Sequence, residues 1–258
     1  MPLFTDKESN VLDPVVAYDA LASCYKSVLE SRRQYLQKVE EIVVAHIGGA
    51  ESLLDVGAGE GTRTLRIGHA AGITRLVLLE PSAQMRNQCH EAVEYWPCRA
   101  SEIPETGCKF DVITCLWNVV GHLQNSDERS LVLSRLRTLL KPNGTIFLDV
   151  NHRYNAAAYG RTKTFLRMVH DLAFRSEKNG DVIVRWQVNG HDIRTRGHVF
   201  RQAELAGLFR DSGLKIRRRW VINYQNGLEC RLPLAGNLLY QLEVVSTGSM
   251  SQRRADAC

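Results

Sequence analysis

Long apolar runs are missing from this 258-residue chain. No stretch approaches the roughly 18 consecutive apolar residues that a membrane-spanning helix needs. Paired cysteines are missing too. The seven cysteines, at 24, 89, 98, 108, 115, 230 and 258, are odd in number and show no C-x-x-C spacing. That excludes a disulfide framework and a zinc-ribbon site, and it points to reduced thiols in a cytoplasmic compartment. The first ten residues, MPLFTDKESN, contain no basic segment followed by an apolar one, so no secretory signal is expected. There is no internal repeat and no low-complexity segment. Nor is there a strong charge of one sign: 33 basic against 28 acidic residues leave +5, well short of a nucleic-acid-binding tail. With 44% hydrophobic and 24% charged residues, the composition is that of a soluble globular protein that needs no covalent staple.

What is present alternates. Residues 14–47 space apolar side chains three and four apart, the helical period, up to Gly48-Gly49. SLLDVG is a short buried strand, 62–71 a helix, RLVLLE a second strand. SAQMRNQCHEAVEY reads as a second helix with Ser82 as N-cap. A short strand at 96–99, the strand FDVITCLWN, the helix DERSLVLSRLRTLL ended by KPNG, and the strand TIFLDV follow. Near-continuous apolar strands alternating with helices predict a parallel sheet covered on both faces. Beyond 150 the rhythm changes. RTKTFLRMVHDLAFRS is helical. VIVRWQV and HDIRTRGHVF flank Asn-Gly, which suits a two-residue hairpin turn. RQAELAGLFRDSG is a helix, LKIRRRWVINY and NLLYQLEVVS are two last antiparallel strands, and TGSMSQRRADAC is a frayed tail.

The chemistry is concentrated in LLDVGAGEGTRT. A strand, then Gly57-Ala58-Gly59-Glu60-Gly61, then a helix makes a turn where a ligand can lie against bare backbone, facing the free N–H groups of the helix. The dinucleotide fingerprint needs a glycine at 62, but that position is Thr62. The spacing D-x-G-x-G-x-G resembles motif I of the class I S-adenosylmethionine-dependent methyltransferases. RLVLLEPS ends in Glu80, about 20 residues on, where a carboxylate accepts from ribose hydroxyls. FDVITCLWNVVGHL and LLKPNGTIFLDV are similar to that family's fourth and fifth strands, and the N-terminal AYDALASCY resembles the cap helix of small-molecule members.

The resemblance covers residues 50–150 closely. It implies an α/β, Rossmann-like fold with a seven-stranded, mostly parallel sheet and an antiparallel last strand, plus a helical cap and an inserted β-hairpin. The whole is expected to be one methyltransferase domain: cap 1–49, cofactor-binding half 50–150, acceptor-side insertion 151–200, final helix and strands 201–246, tail 247–258. The cofactor implied is S-adenosyl-L-methionine, held by Asp55, Gly57, Ala58, Gly59, Gly61, Glu80, Pro81, Met85, Ala100, Ser101, Leu116, Trp117 and Asn118, with Tyr18 closing over it. One position departs from the family pattern: Arg99-Ala100 stands where an Asp-Ala pair often reads the adenine amino group, and arginine cannot accept a hydrogen bond.

The acceptor is expected beyond the carboxyl ends of the strands. His122 and His152 are the candidate general bases, histidine being suited to neutral pH. A loop residue that caps the next helix or packs on Trp117, for His122, and a surface loop histidine, for His152, are the competing readings. Tyr25, which shares a helix face with Tyr18, is assigned to acceptor binding together with Asn151, Arg153 and Tyr154. Arginine can hold an acceptor carboxylate bidentately. No Asn/Asp-Pro-Pro-aromatic stretch is present, against exocyclic amino methylation of DNA. Pro97-Cys98 lies before the fourth strand, against C5-cytosine chemistry. Asp149 and Asn151 are too few for a magnesium site, so no metal is expected.

Three readings follow. The first is an enzyme that methylates a small molecule on N, O or C, as a monomer or homodimer and with no membrane partner. The second is an RNA methyltransferase, favoured by KIRRRW and RTRGHVFR but lacking interleaved stacking aromatics. The third is a non-catalytic, cofactor-binding partner subunit, supported only by Arg99. Common to all is the ribose carboxylate. Glu80→Ala is expected to weaken S-adenosylhomocysteine binding by about 1.5–3 kcal/mol, the worth of a hydrogen bond to a charged group. Titration calorimetry showing unchanged affinity would remove the assignment.

Overall fold

The computed structural model describes residues 11–89, 91, 93–188 and 191–245. The first ten residues of the expected cap, the expected Asn-Gly turn at 189–190 and the expected tail at 247–258 lie outside them.

A short strand β1 (Val11–Leu12) precedes helices α1 (Pro14–Leu21), α2 (Tyr25–Glu30) and α3 (Arg33–Val44). The predicted continuous helix over 14–47 is thus broken, with a 3-10 turn at Ala22–Cys24 and a second break before α3. Strand β2 (Ser52–Val56) leads to α4 (Thr62–Ala71), β3 (Arg75–Leu79), α5 (Ala83–Arg86) and β4 (Glu94–Trp96). Ser82 caps α5 as expected, its hydroxyl accepting from Met85 N. That helix spans one turn, far short of the predicted 82–95. Then come β5 (Phe110–Cys115), α6 (Ser126–Thr138) and β6 (Leu140–Val150). Strand β6 takes in KPNG, where Asn143 adopts a positive φ of 65°. The insertion holds α7 (Ala156–Tyr159), α8 (Arg161–Ala173), β7 (Asp181–Val188) and β8 (His191–His198). The chain closes with α9 (Gln202–Asp211), β9 (Leu214–Ile222) and β10 (Asn237–Val244).

The main sheet has seven strands in the order β4-β3-β2-β5-β6-β10-β9. Pairings from β4 through β6 are parallel, and β10 runs antiparallel to both neighbours. This is the predicted Rossmann-like arrangement. Its strands bury both faces, which is why they read as unbroken apolar runs. Leu54 and Val56 of β2 pack with α6 and α9 through Val132, Leu136, Leu205 and Phe209. Leu53 points the other way, into Tyr35, Leu36, Val39 and Val43 of α3 and Ile67 of α4.

A second sheet, β1-β8-β7, stands apart from the first. Its hairpin meets α1 and α5 in a small cluster of Ala17, Leu21, Ala22, Met85 and Ile193. This cluster roofs the carboxyl ends of the parallel strands.

Two buried arginines tie the insertion down. Arg129 of α6, 1% exposed, donates to the carbonyls of Val120 and Leu123 and to Glu177. Arg153 makes a bidentate pair with Asp171 of α8, at 2.5 and 2.8 Å, and Tyr154 donates to the same carboxylate at 2.8 Å. Burial alone would raise the Asp171 pKa; Arg153 and Tyr154 outweigh it and hold the group at about 2. The folded value lies below the ordinary one of 3.8, so this contribution is full above pH 4 and fades as pH falls towards 2. Asp171→Asn leaves Arg153 buried without its counter-charge. Urea titration at pH 7 is expected to show a loss of about 3–5 kcal/mol, with a smaller difference between variant and parent at pH 3.

Candidate functional site

The glycine loop follows directly from β2. Gly57, Gly59 and Gly61 hold φ of 71°, 60° and 80°, a region that side-chain-bearing residues enter at a cost. Gly57 N and Ala58 N donate to the carbonyl of Leu79, so the loop is pinned to the end of β3. There it meets Glu80. One carboxylate oxygen accepts from Gly59 N and the other from Ser82 N, both at 2.8 Å. Glu80 is buried, and that burial pushes its pKa up against the pull of these amides. A carboxylate has about four lone-pair positions, so two remain for a ligand's hydroxyls.

Asp55 sits beneath the loop, 1% exposed. It accepts from Thr64 of α4 at 2.5 Å and from Thr114 of β5 at 2.7 Å. Both contacts brace the loop from within the protein. Arg63 reaches Asp55 at 3.8 Å, while its Nε is buried with no hydrogen-bond partner.

The cap helix docks on this corner. Asp19 of α1 accepts from the Ser82 hydroxyl at 2.5 Å and from Gln84 N at 3.1 Å. Asp13 accepts from Val15 N at the start of α1 and pairs with Arg99 at 2.7 Å. The departure at Arg99 therefore has a structural account: the side chain anchors the cap. Ala100 is buried, and the carbonyl of Ser101 accepts from Arg135. Met85 is buried in the roof cluster, and the carbonyls of Glu80 and Pro81 are both held by Arg86. Tyr25 lies over the loop, its ring 3.5 Å from where a Cβ on Gly59 would stand.

Beyond β5 the chain takes two left-handed residues in succession, Trp117 at φ 67° and Asn118 at φ 59°. Such conformations cost about 1–3 kcal/mol each and persist where the surroundings fix them. Here Asp149 does so. Its oxygens accept from Trp117 N at 3.1 Å and from the Tyr35 hydroxyl at 2.5 Å, and its backbone carbonyl accepts from Asn118 N. The Asn118 amide then donates to His198 O and accepts from Asn151 N. Both side chains, with Asn151, line a cavity of about 240 Å³. Leu116, one residue earlier, points instead into the core behind α3.

His122 borders the same cavity. Its Nδ1 lies 3.0 Å from the carbonyl of Arg196 and its Nε2 3.2 Å from the Tyr18 hydroxyl. A carbonyl only accepts, so Nδ1 carries the proton and Nε2 presents a lone pair that takes the Tyr18 O–H. Burial lowers the His122 pKa, which favours the neutral ring. Tyr18 also meets Tyr25 and Trp186 edge-on, at 6.1 and 5.6 Å between ring centres.

Three expected site residues have other surroundings. His152 is 1% exposed, its backbone N held by Asn237, and burial lowers its pKa to about 4. It lies under the loop before β10 and is absent from the cavity wall. Arg153 and Tyr154 are spent on Asp171. These polar residues at a strand exit secure the insertion, and the expectation that they face an acceptor is corrected. Conversely, Arg32, Trp186 and Tyr224 line the cavity without having been singled out. Arg32 was detectable as a charged interruption in an amphipathic stretch. Trp186 and Tyr224 gave no local signal, because their place depends on how the hairpin and β9 return to the sheet.

A family model described as a methyltransferase domain matches residues 28–218. No curated protein matches the chain. Among solved structures it is similar to an S-adenosylmethionine-dependent methyltransferase from Clostridium acetobutylicum, with 14% identity, a TM-score of 0.63, and coverage of 89% of this chain and 99% of that one. It is also similar to DhpI in complex with SAH (18%, TM-score 0.60, 90% and 95%). A third likeness is to SAM-bound CalS10, an amino pentose methyltransferase from Micromonospora echinaspora (16%, TM-score 0.58, 86% and 96%). At these identities the likeness is one of fold.

Gly59→Val would force a branched residue into positive φ and drive its Cβ towards Tyr25. Calorimetric binding of S-adenosylhomocysteine is expected to disappear, with folding weakened by about 1–2 kcal/mol. Retained binding would count against the loop as the nucleoside cradle.

Proposed function

The chain belongs to the methyltransferase domain family and is a class I S-adenosylmethionine-dependent methyltransferase, and from that premise we propose that its acceptor is a small molecule held in the cavity beside His122. The observation that carries this reading is the enclosure itself. The cavity of about 240 Å³ is walled by α1, α2, the exits of β5 and β6, and the β7–β8 hairpin. That is near the lower end of small-ligand sites and far too small for a folded polynucleotide.

The residues at the glycine loop fit the cofactor. The bare backbone at 57–61 admits close approach, Glu80 keeps two acceptor positions for ribose hydroxyls, and the unpartnered Arg63 Nε suits the carboxylate of the methionine end. Met85 and Pro81 flank the sugar, and the backbone of Ala100 and Ser101 is left to read the adenine. When bound, S-adenosylmethionine supplies a methyl group activated on a sulfonium sulfur. Tyr18 and Trp117 position the two ligands against each other, and orientation of this kind is worth several kcal/mol.

His122 takes the acceptor's proton, directly or through the Tyr18 hydroxyl. Its Nδ1–H bond to Arg196 O fixes the tautomer that makes Nε2 the base. The basic run at 215–219 does not favour RNA. Lys215 and Arg217 both pair with Glu243, and Arg219 donates to Gln202. The anchoring of Arg99 by Asp13 likewise removes the one argument for a non-catalytic subunit.

Transfer of labelled methyl from S-adenosylmethionine is expected to hydroxyl- or amine-bearing small molecules and not to total RNA. The acid limb of kcat/KM is expected below pH 6.5, the direction set by burial of His122. His122→Gln should abolish that limb and lower kcat by about 10²–10⁴-fold, the range for general bases. A pH profile unchanged in this variant would assign the proton transfer elsewhere.

A further inference from the structure

The cavity is charged in one sense only. Among the described residues that line it there is no aspartate or glutamate, while Arg32 brings a guanidinium to it from the cap. Asp149, the nearest carboxylate behind Trp117, has both oxygens engaged by Tyr35 and the Trp117 amide.

Arg32 is held ready. It stands at the break between α2 and α3, half-buried, with its guanidinium carbon 4.5 Å from the centre of the Tyr224 ring. It has no carboxylate partner among the described residues. Part of its fork is engaged by the Tyr224 side chain, but a guanidinium carries five N–H donors, and a free edge of that fork matches a carboxylate bidentately. Four aromatic side chains, Trp117, Trp186, Tyr224 and Tyr18, share the wall with the polar Ser31, Asn118 and Asn151. Such faces accept a planar ring. The Arg32 guanidinium opposes an ammonium group, and His122 supplies a base that a hydroxyl needs and a neutral amine does not.

Resting on the small-molecule reading, we propose that the acceptor is a hydroxylated aromatic acid, its carboxylate on Arg32, its ring between the tryptophans, and its hydroxyl at the Tyr18–His122 pair. In the transfer the acceptor oxygen forms the bond to the methyl carbon. The electron pair of the breaking carbon–sulfur bond stays on sulfur; the acceptor's hydroxyl proton passes to the Tyr18 oxygen as the Tyr18 proton passes to His122 Nε2. The products are an aryl methyl ether and S-adenosylhomocysteine, and the imidazolium returns its proton to solvent.

The test uses the full chain loaded with S-adenosylhomocysteine. Calorimetry compares a panel of hydroxybenzoic and hydroxycinnamic acids with their amides, and methyl transfer is followed on the same compounds. At least one acid is expected to bind tenfold or more tighter than its amide. Arg32→Gln should erase that preference while leaving S-adenosylhomocysteine affinity within twofold, and Arg32→Lys should restore part of it. If Arg32→Gln does not fold, Arg32→Lys and the acid-to-amide ratio of the parent carry the decision. Amides or aryl amines bound as well as the acids overturn the proposal while the small-molecule reading stands. Methylation of RNA with no small molecule bound overturns both, and a panel in which nothing binds overturns the aromatic-acid class.

Discussion

A buried carboxylate accepting two backbone amides is the constraint from which the rest of the site is built. Glu80 stands at the end of β3 and binds Gly59 N from the neighbouring strand's loop and Ser82 N from its own turn. The first bond holds the three alternating left-handed glycines, 57, 59 and 61, in one shape. The second sets the start of α5, whose Ser82 hydroxyl then receives Asp19 of the cap helix. Sheet, loop and cap thus converge on one side chain. Its cost of burial is offset by charge-assisted hydrogen bonds, and its unused lone pairs face the place where a nucleoside sugar is expected.

The second organising element is the left-handed pair Trp117-Asn118. Trp117 is bulky for that region of backbone while Asn118 tolerates it, and both are locked by Asp149, Asn151 and the hairpin carbonyl of His198. The strain places an indole and an amide at the floor of the cavity, at the one point where the exits of β5 and β6 meet the insertion. His198 is itself buried between Asp181 and Glu204, 2.8 Å from each, so the hairpin is fastened to α9 through hydrogen bonds.

The parallel half was legible because its physics is local. SLLDV and FDVITC bury both faces and read as apolar runs; the glycines and Glu80 sit at fixed offsets from strand ends. Ser82 declared itself as a cap. The helix expected after it did not form beyond Arg86, since CHEAVEY has helical spacing but the chain must turn to place Glu94–Trp96 beside β3. KPNG looked like a stop and instead lies inside an eleven-residue strand. The acceptor side was less legible. NHRYN carries polar groups suited to a ligand, yet Arg153 and Tyr154 answer to Asp171, seventeen or more residues along, a partner no window of sequence reveals. Arg32, Trp186 and Tyr224 come from three separate segments and share a wall only through the tertiary fold. The likeness of Arg99 to a broken adenine contact dissolved for the same reason: its partner, Asp13, is 86 residues away.

The small sheet made of β1, β7 and β8 has a consequence for divergence. It shares no strand with the seven-stranded sheet, yet it contributes Val184, Arg185 and Trp186 to the cavity wall. Substitution on the solvent or cavity face of this hairpin leaves the packing of β2, β3 and β5 untouched. On the proposed reading, the hairpin's share of the acceptor wall can change while the strands that carry the glycine loop and Glu80 stay as they are.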